Sequence, residues 1–368
     1  MAWPDAPEEL LDGPRGRRLC FEVVSPWRPD GSIPASPGWN ALRVGLAETA
    51  PQQLAAELAA LISGAQLVEV VAAPREIDLF APLHASVDAA MYWQPRDEID
   101  QALAVPAVAE VLAPVARALA GRPASAWWHS PLARDSQQFV AELDNDWRDD
   151  AAGGGPALSG AAGKLAAWRA SIVEDERGAA ERPADPAAPY SGYWWSSPVA
   201  SRLVTTTRSL PGLPAVRLEL VEDCQGTGDV ACWPLTPSAA ARICEIRGPR
   251  DWVALATRYP LDVSKSRRHD WWRVTGWAGG WVIPDFAAVG ADFDAVHLTA
   301  GGYLTTAGRP LVLDGDGLGG TSEPDARTML AGWNPDETYW LADVLTEAGP
   351  PERYINPDRE PLGWKRSS

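Results

Sequence analysis

The alternation of apolar and polar positions divides this chain into short strands and helices in mixed order. Leu19, Phe21 and Val23 alternate with polar or small residues and predict a first strand over Arg17 to Val24. Leu54, Leu58, Leu61 and Ile62 share one helical face, which predicts a helix over Gln52 to Ile62, followed by a strand over Gln66 to Val71. Pro106 separates two helical stretches, Asp97 to Ala104 and Ala107 to Leu119, because proline gives no amide proton and clashes with the preceding turn. A strand is expected over Gln137 to Leu143, then a Gly/Ala/Ser/Pro loop over Ala151 to Ala162. Leu165 to Ala180 reads as a helix with Trp168, Ile172 and Val173 inward.

The periodicity then stops. Glu181 to Ser191 holds three prolines and no apolar rhythm. Segment 181–191 is therefore expected to connect an N-terminal α/β half, 1–180, to a strand-rich α+β half, 192–368. Strands are predicted over Arg202 to Thr207, Ala215 to Val221, Val230 to Trp233 and Ala241 to Arg247. Pro249 opens a helix to about Arg258, and strands over Trp281 to Ile283 and Ala295 to Thr299 flank a helix from Pro284 to Ala291. The fold class expected is α/β or α+β, with mixed sheets and flanking helices.

One internal echo bears on the organisation. Trp127-Trp128-His129-Ser130-Pro131-Leu132-Ala133 is matched by Trp194-Trp195-Ser196-Ser197-Pro198-Val199-Ala200. A duplication into two similar half-units and coincidence in a tryptophan-rich chain both account for it.

The runs Ser266-Arg267-Arg268-His269-Asp270-Trp271-Trp272-Arg273, Val282-Ile283-Pro284-Asp285-Phe286, Asp294-Ala295-Val296-His297-Leu298-Thr299 and Ala331-Gly332-Trp333-Asn334-Pro335-Asp336-Glu337-Thr338-Tyr339-Trp340-Leu341 carry a resemblance. In them the chain resembles a tryptophan-rich actinobacterial protein group. The likeness is best over the last half and implies a source, with no activity attached to it.

Charge narrows the partners. The formal net charge of −17 repels phosphate backbones and anionic membranes, so generic nucleic-acid binding is disfavoured. Cys20, Cys224, Cys232 and Cys244 show no metal or redox spacing and read as reduced thiols. The opening Met1-Ala2-Trp3-Pro4-Asp5 lacks the pattern of a secretory signal. The most apolar stretch, Ala102 to Gly121, contains Pro106, Glu110, Pro114 and Arg117, which a lipid-spanning helix would not carry. A soluble, cytoplasmic protein is expected.

Familiar site motifs fail on inspection. Gly315-Asp316-Gly317-Leu318-Gly319-Gly320 fits a dinucleotide fingerprint in spacing alone, and Asp314 beside it would repel a pyrophosphate. Gly163-Lys164 lacks the upstream glycine and the following Ser or Thr of a phosphate loop. No metal-ligand spacing occurs, so no bound metal is expected.

What remains is Lys265 to Arg273. Five basic or potentially basic residues lie within nine positions of a very acidic chain. Arg267, Arg268, His269 and Arg273 would grip an anion, since guanidinium forks take phosphate or carboxylate two bonds at a time. Trp271, Trp272 and Trp333 would offer stacking faces. His297, in an apolar strand, and Glu337, on a turn, are the candidate acid-base groups. Two readings follow. One is a protein that binds or processes an anionic, nucleotide-type ligand, NAD included, with sugar transfer as its chemistry. The other is a non-catalytic interaction, inhibitor or immunity-type protein, favoured by nineteen tryptophans, a residue enriched at interfaces.

Overall fold

A computed structural model of the chain describes residues 6–24, 79–143, 155–224, 228–313, 325–358 and 362–367, with four helical positions between 53 and 59. The strands, in chain order, are β1 Gln137–Glu142, β2 Thr205–Arg208, β3 Asp229–Pro237, β4 Ile243–Ile246, β5 Pro260–Asp262, β6 Val282–Pro284, β7 Ala295–Leu298, β8 Leu311–Val312, β9 Arg327–Thr328, β10 Thr338–Trp340, β11 Leu345–Glu347, β12 Glu352–Ile355 and β13 Lys365–Arg366. The helices are α1 Pro14–Val24, α2 Phe80–Asp88, α3 Glu98–Leu103, α4 Pro106–Val111, α5 Ala113–Ala120, α6 Ala161–Gly178, α7 Pro249–Arg258, α8 Arg268–Thr275, α9 Phe286–Asp292 and α10 Ala300–Thr306.

One mixed sheet organises the rest. Its order is β13-β12-β3-β1-β2-β10-β7-β4, with β11 also on β3. Pairing is antiparallel except between β4 and β7, which run parallel. A parallel pair needs a long crossover, and here the intervening chain carries α7, α8 and α9. Helices flank the sheet, so the architecture is α/β. Strand β1 lies between β3 and β2. Segment 181–191 runs over the surface, mostly exposed.

The two-residue period of the strands sorts the sheet faces. Val296, Leu298 and Tyr339 enter the large core shared with α1, α2, α5 and α6. Ala295 and Trp340 enter a smaller core with Val204, Trp233 and Leu235 on the other face. On that second face the register aligns Glu245, His297, Thr338 and Thr206 across four strands.

Several expected elements are present, including the helix break before Pro106, strand β1 and helix α6. A further break falls at Leu112, ahead of Pro114 in the first turn of α5. Two expectations are corrected. Arg17 to Val24 is not a strand; it lies within helix α1. The helix buries its polar face, Arg15, Arg18 and Glu22, in ion pairs as well as its apolar one, and the period-two match of Leu19, Phe21 and Val23 was accidental. Ala215 to Val221 is not a strand either. The amides of Leu218, Glu219 and Leu220 bond back to Ala215 and Val216, closing a 3-10 turn over Val216–Leu218. Gln53, Ala55, Ala56 and Ala59 are helical. The rest of the expected helix at 52–62, the strand at 66–71 and the glycine run at 315–320 lie outside the described residues.

The two tryptophan echoes differ in backbone. Trp127 lies in a 3-10 helix and stacks on Phe80 at 5.6 Å, while Trp194 lies in irregular chain and stacks on Trp195 at 4.4 Å.

Candidate functional site

The arginines of the 265–273 run are occupied by the chain's own groups. Arg267 is wholly buried, with Nε donating to the Trp195 carbonyl at 3.2 Å and Nη1 to Ser266 Oγ at 3.0 Å. Its guanidinium lies over the Tyr193 ring at 4.5 Å and 3.4 Å from Asp175, and burial draws its pKa down to about 10. Arg268 donates to the Pro183 carbonyl at 2.8 Å, and His269 Nε2 lies 3.1 Å from the same oxygen. Burial also lowers the His269 pKa. Arg273 donates to the Tyr190 carbonyl at 2.8 Å and pairs with Asp270. Trp271 is buried edge-on to Trp281 and donates to the Trp194 carbonyl, while Trp272 is half-buried. α8 thus fastens the segment from 183 to 195 onto the body of the protein.

This division of labour predicts unequal effects. Arg267→Ala, losing buried charge-assisted bonds, is expected to destabilise the chain by about 2 kcal/mol, and Arg268→Ala by less than about 0.5 kcal/mol. Urea unfolding of both variants checks the ordering, and equal losses would contradict it.

His297 and Glu337 point to opposite faces of the sheet, as their places beside Thr338 in the register require. Glu337 is buried and accepts from Arg217 at 2.7 Å and from the Asn334 amide groups. Trp333 is fully buried behind it, donating to the Glu337 carbonyl at 3.0 Å. His297 is fully buried, with Nδ1 2.9 Å from Thr338 Oγ1. Its Nε2 lies 3.7 Å from Asp336 and 3.9 Å from Glu245. Burial, then the nearby Arg208, hold the His297 pKa down to about 3, so the ring is neutral at physiological pH. Asp336 is anchored by Arg208 at 2.6 Å. His297, Glu337 and the 265–273 run therefore occupy separate places.

A different group of residues meets at a cavity, and the sequence reading did not select them. The cavity has a volume of about 200 Å3 and is lined by Arg15, Tyr92, Gln94, Arg96, Asp97 and Asp100, among others. Arg15 comes from α1, and the others come from the chain between α2 and α3 and from α3 itself. Arg15 is 2% exposed, pairs with Asp100 and donates to the Ser86 carbonyl at 2.6 Å. Arg96 donates to the Gly308 carbonyl at 3.0 Å. Among the described residues, neither Arg15 Nε nor Arg96 Nε has a hydrogen-bond partner. The acids of the wall are already engaged, Asp100 by Arg15 and Asp97 by Arg18 at 2.8 Å.

Arginines crowd one another around this cavity. Burial, and then repulsion from Arg15, lower the Arg96 pKa. Arg17, on the same helix, is drawn down to about 10 by burial and by Arg96, Arg15 and Arg309.

Tyr92 connects this cavity to a second buried set, Tyr303 of α10 and Glu222. The Tyr303 hydroxyl acts on both Tyr92 and Glu222, and Arg15 acts on all three. Glu222 Oε2 accepts from the Gly332 amide at 2.8 Å. Gly332 has φ of 72°, and a Cβ there would meet the Trp195 ring at 2.0 Å, so only glycine keeps that amide in place. The Glu222 carboxyl and the Tyr92 and Tyr303 hydroxyls form one buried polar set, joined through Tyr303. Burial pushes the Glu222 pKa up to about 8, against the opposing pull of Tyr303, the Gly332 amide and Arg15.

The sequence held one clue to this site. Arg15, Arg18 and Glu22 recur at helical spacing, so charge rather than hydrophobicity marked the face of α1. Nothing in the sequence linked that face to Arg96, Glu222 or Tyr303, which arrive from distant segments. Among the described residues no group of His, Cys, Asp and Glu is placed to hold a metal ion, and no helix is long and apolar enough to cross a membrane. No protein-family model matches the chain, and no curated protein or solved structure matches it either.

Proposed function

We propose that this protein binds a small anionic ligand in the cavity between α1 and the chain at 89–100. The observation that carries this reading is two neighbouring guanidinium groups on the cavity wall, each with an unpartnered Nε among the described residues. Two buried cations that repel one another gain stability from an anion held between them. Size narrows the ligand. At about 200 Å3 the cavity lies below the roughly 300 Å3 at which ordinary small-molecule sites begin. A compact carboxylate or phosphate fits such a space, whereas a whole dinucleotide such as NAD does not.

The test is calorimetric titration and thermal shift with inorganic phosphate and short carboxylates. Arg96→Ala is expected to weaken binding about tenfold or more through the loss of a charge-assisted contact, and Arg268→Ala to leave it unchanged. Absence of stabilisation by every anion would remove the reading.

A second reading has its own support. Trp93 and Tyr190 are exposed aromatics, at 39% and 36%, and Arg273 donates to the carbonyls of both. Aromatic residues beside arginine are the composition of protein interfaces, so this rim is where a protein partner would dock. Trp93→Ala combined with Tyr190→Ala would then abolish the complex and leave anion binding intact.

A further inference from the structure

The cavity between α1 and the chain at 89–100 is lined by two chemically different sets of residues. Six of its twelve lining residues, Pro14, Ala89, Ala90, Met91, Pro95 and Val274, are apolar. Two polar neighbours are turned to the chain's own groups. Gln94 Nε2 donates to Met91 Sδ at 2.8 Å, and the Tyr92 hydroxyl is joined to Tyr303.

The charged lining residues are Arg15, Arg96, Asp97 and Asp100. Arg15 is paired with Asp100, and Asp97 with Arg18. Arg96 differs from them. Among the described residues no carboxylate acts on it; its Nη2 donates to the Gly308 carbonyl at 3.0 Å and its Nε has no partner. One cation without a counter-charge calls for one negative charge. A second charge on the ligand would meet the carboxylates of the same wall or the apolar lining, and burial against either is costly.

We infer that the ligand is a small monocarboxylate with a short aliphatic chain, its two oxygens accepting from Arg15 Nε and Arg96 Nε and its chain packed on the apolar lining. This rests on the anion-binding reading of the same cavity and narrows it. Hydrogen phosphate and dicarboxylates bring a second charge that no free cation meets. Formate meets the arginines and leaves the apolar lining wet. The volume of about 200 Å3 is more than a bare carboxylate fills, at roughly 30 Å3 for each water-sized group.

The experiment is calorimetric titration of the full chain with the sodium salts of the straight-chain acids from formate to hexanoate. Succinate, phosphate and neutral butyramide are run beside butyrate. Each added methylene is expected to tighten binding about threefold to fourfold, the worth of one buried methylene, until the apolar lining is covered. Longer acids then weaken, because a packed wall does not stretch. Succinate, phosphate and butyramide are each expected to bind about tenfold or more weakly than butyrate. Val274→Ala enlarges the apolar side and should lengthen the best-bound acid by about one carbon. Ala89→Val should shorten it, and this second variant carries the test should the first fold poorly. Arg96→Ala should weaken every acid alike and leave the increment per methylene in place.

A flat series, or succinate or phosphate binding as tightly as butyrate, would overturn the monocarboxylate inference and leave the anion-binding reading standing. Butyramide equal to butyrate would show a merely apolar site and overturn both. Failure of every acid and of phosphate would do the same.

Discussion

Asp336→Ala is expected to be the most damaging single substitution in the chain. Asp336 is 1% exposed and accepts from the Arg208 backbone amide at 2.8 Å and from Arg208 Nε at 2.6 Å. Arg208 is itself buried, and its remaining bonds go to the carbonyls of Ser130 and Pro131. Removing the carboxylate leaves the guanidinium in the interior without its paired carboxylate, which costs about 3–5 kcal/mol. A second cost adds to it. Asp336 has φ of 61°, in the left-handed region where Asp is tolerated and Ala is penalised by roughly 1 kcal/mol. The total approaches the whole stability of an ordinary domain.

Asp336→Asn separates the two costs. Asparagine tolerates the same backbone and still accepts from Arg208, so it loses the charge alone. Urea unfolding is expected to rank the wild type above Asn and Asn above Ala, with the Ala variant largely unfolded at 37 °C. An Ala variant within about 1 kcal/mol of wild type would show that Arg208 finds other compensation there. His297 supplies an independent readout, since its ring lies 3.7 Å from Asp336 and its NMR shifts should move in both variants.

How much of this was legible in the sequence differs from residue to residue. The strand around His297 was readable because a four-residue strand buried on both faces leaves a continuous apolar run with the histidine inside it. That the histidine is structural in its surroundings, boxed by Thr338, Asp336 and Glu245, depended on strand register and was not readable. The positive run at 265–273 drew attention because arginines stood close in sequence. Their partners, the carbonyls of Pro183, Tyr190 and Trp195, are backbone groups, which no residue pattern reveals. The cavity stayed hidden for the opposite reason. Arg15 and Arg96 are far apart in sequence, and in helix α1 the alternation of Leu19, Phe21 and Val23 imitates a strand while the polar face that marks the helix is itself buried. Glu222 follows a stretch also mistaken for strand, and its orientation comes from the Gly332 amide across the molecule.

The pH dependence of stability is expected to expose Glu222 directly. Its ordinary pKa is 4.5, which the unfolded chain retains, and burial raises it to about 8 in the folded protein. Below pH 4.5 the carboxyl is protonated in both states and contributes no slope. Between pH 4.5 and 8 the unfolded chain releases the proton while the folded chain keeps it, so the folded state binds more protons and stability falls as pH rises. Above pH 8 both forms are ionised and the loss is complete. At about 1.4 kcal/mol per pH unit, the accumulated loss is on the order of 5 kcal/mol. His297 acts with the opposite sign at lower pH. Its pKa is about 3 folded against 6.5 ordinarily, so the unfolded chain takes up the proton first and stability rises with pH across that interval. Subtracting one curve from another isolates the glutamate. Glu222→Gln keeps the His297 term and removes the Glu222 term, so the gap between variant and wild type should widen from pH 4.5 to 8 in the variant's favour. A constant gap would place the Glu222 carboxyl at its ordinary pKa.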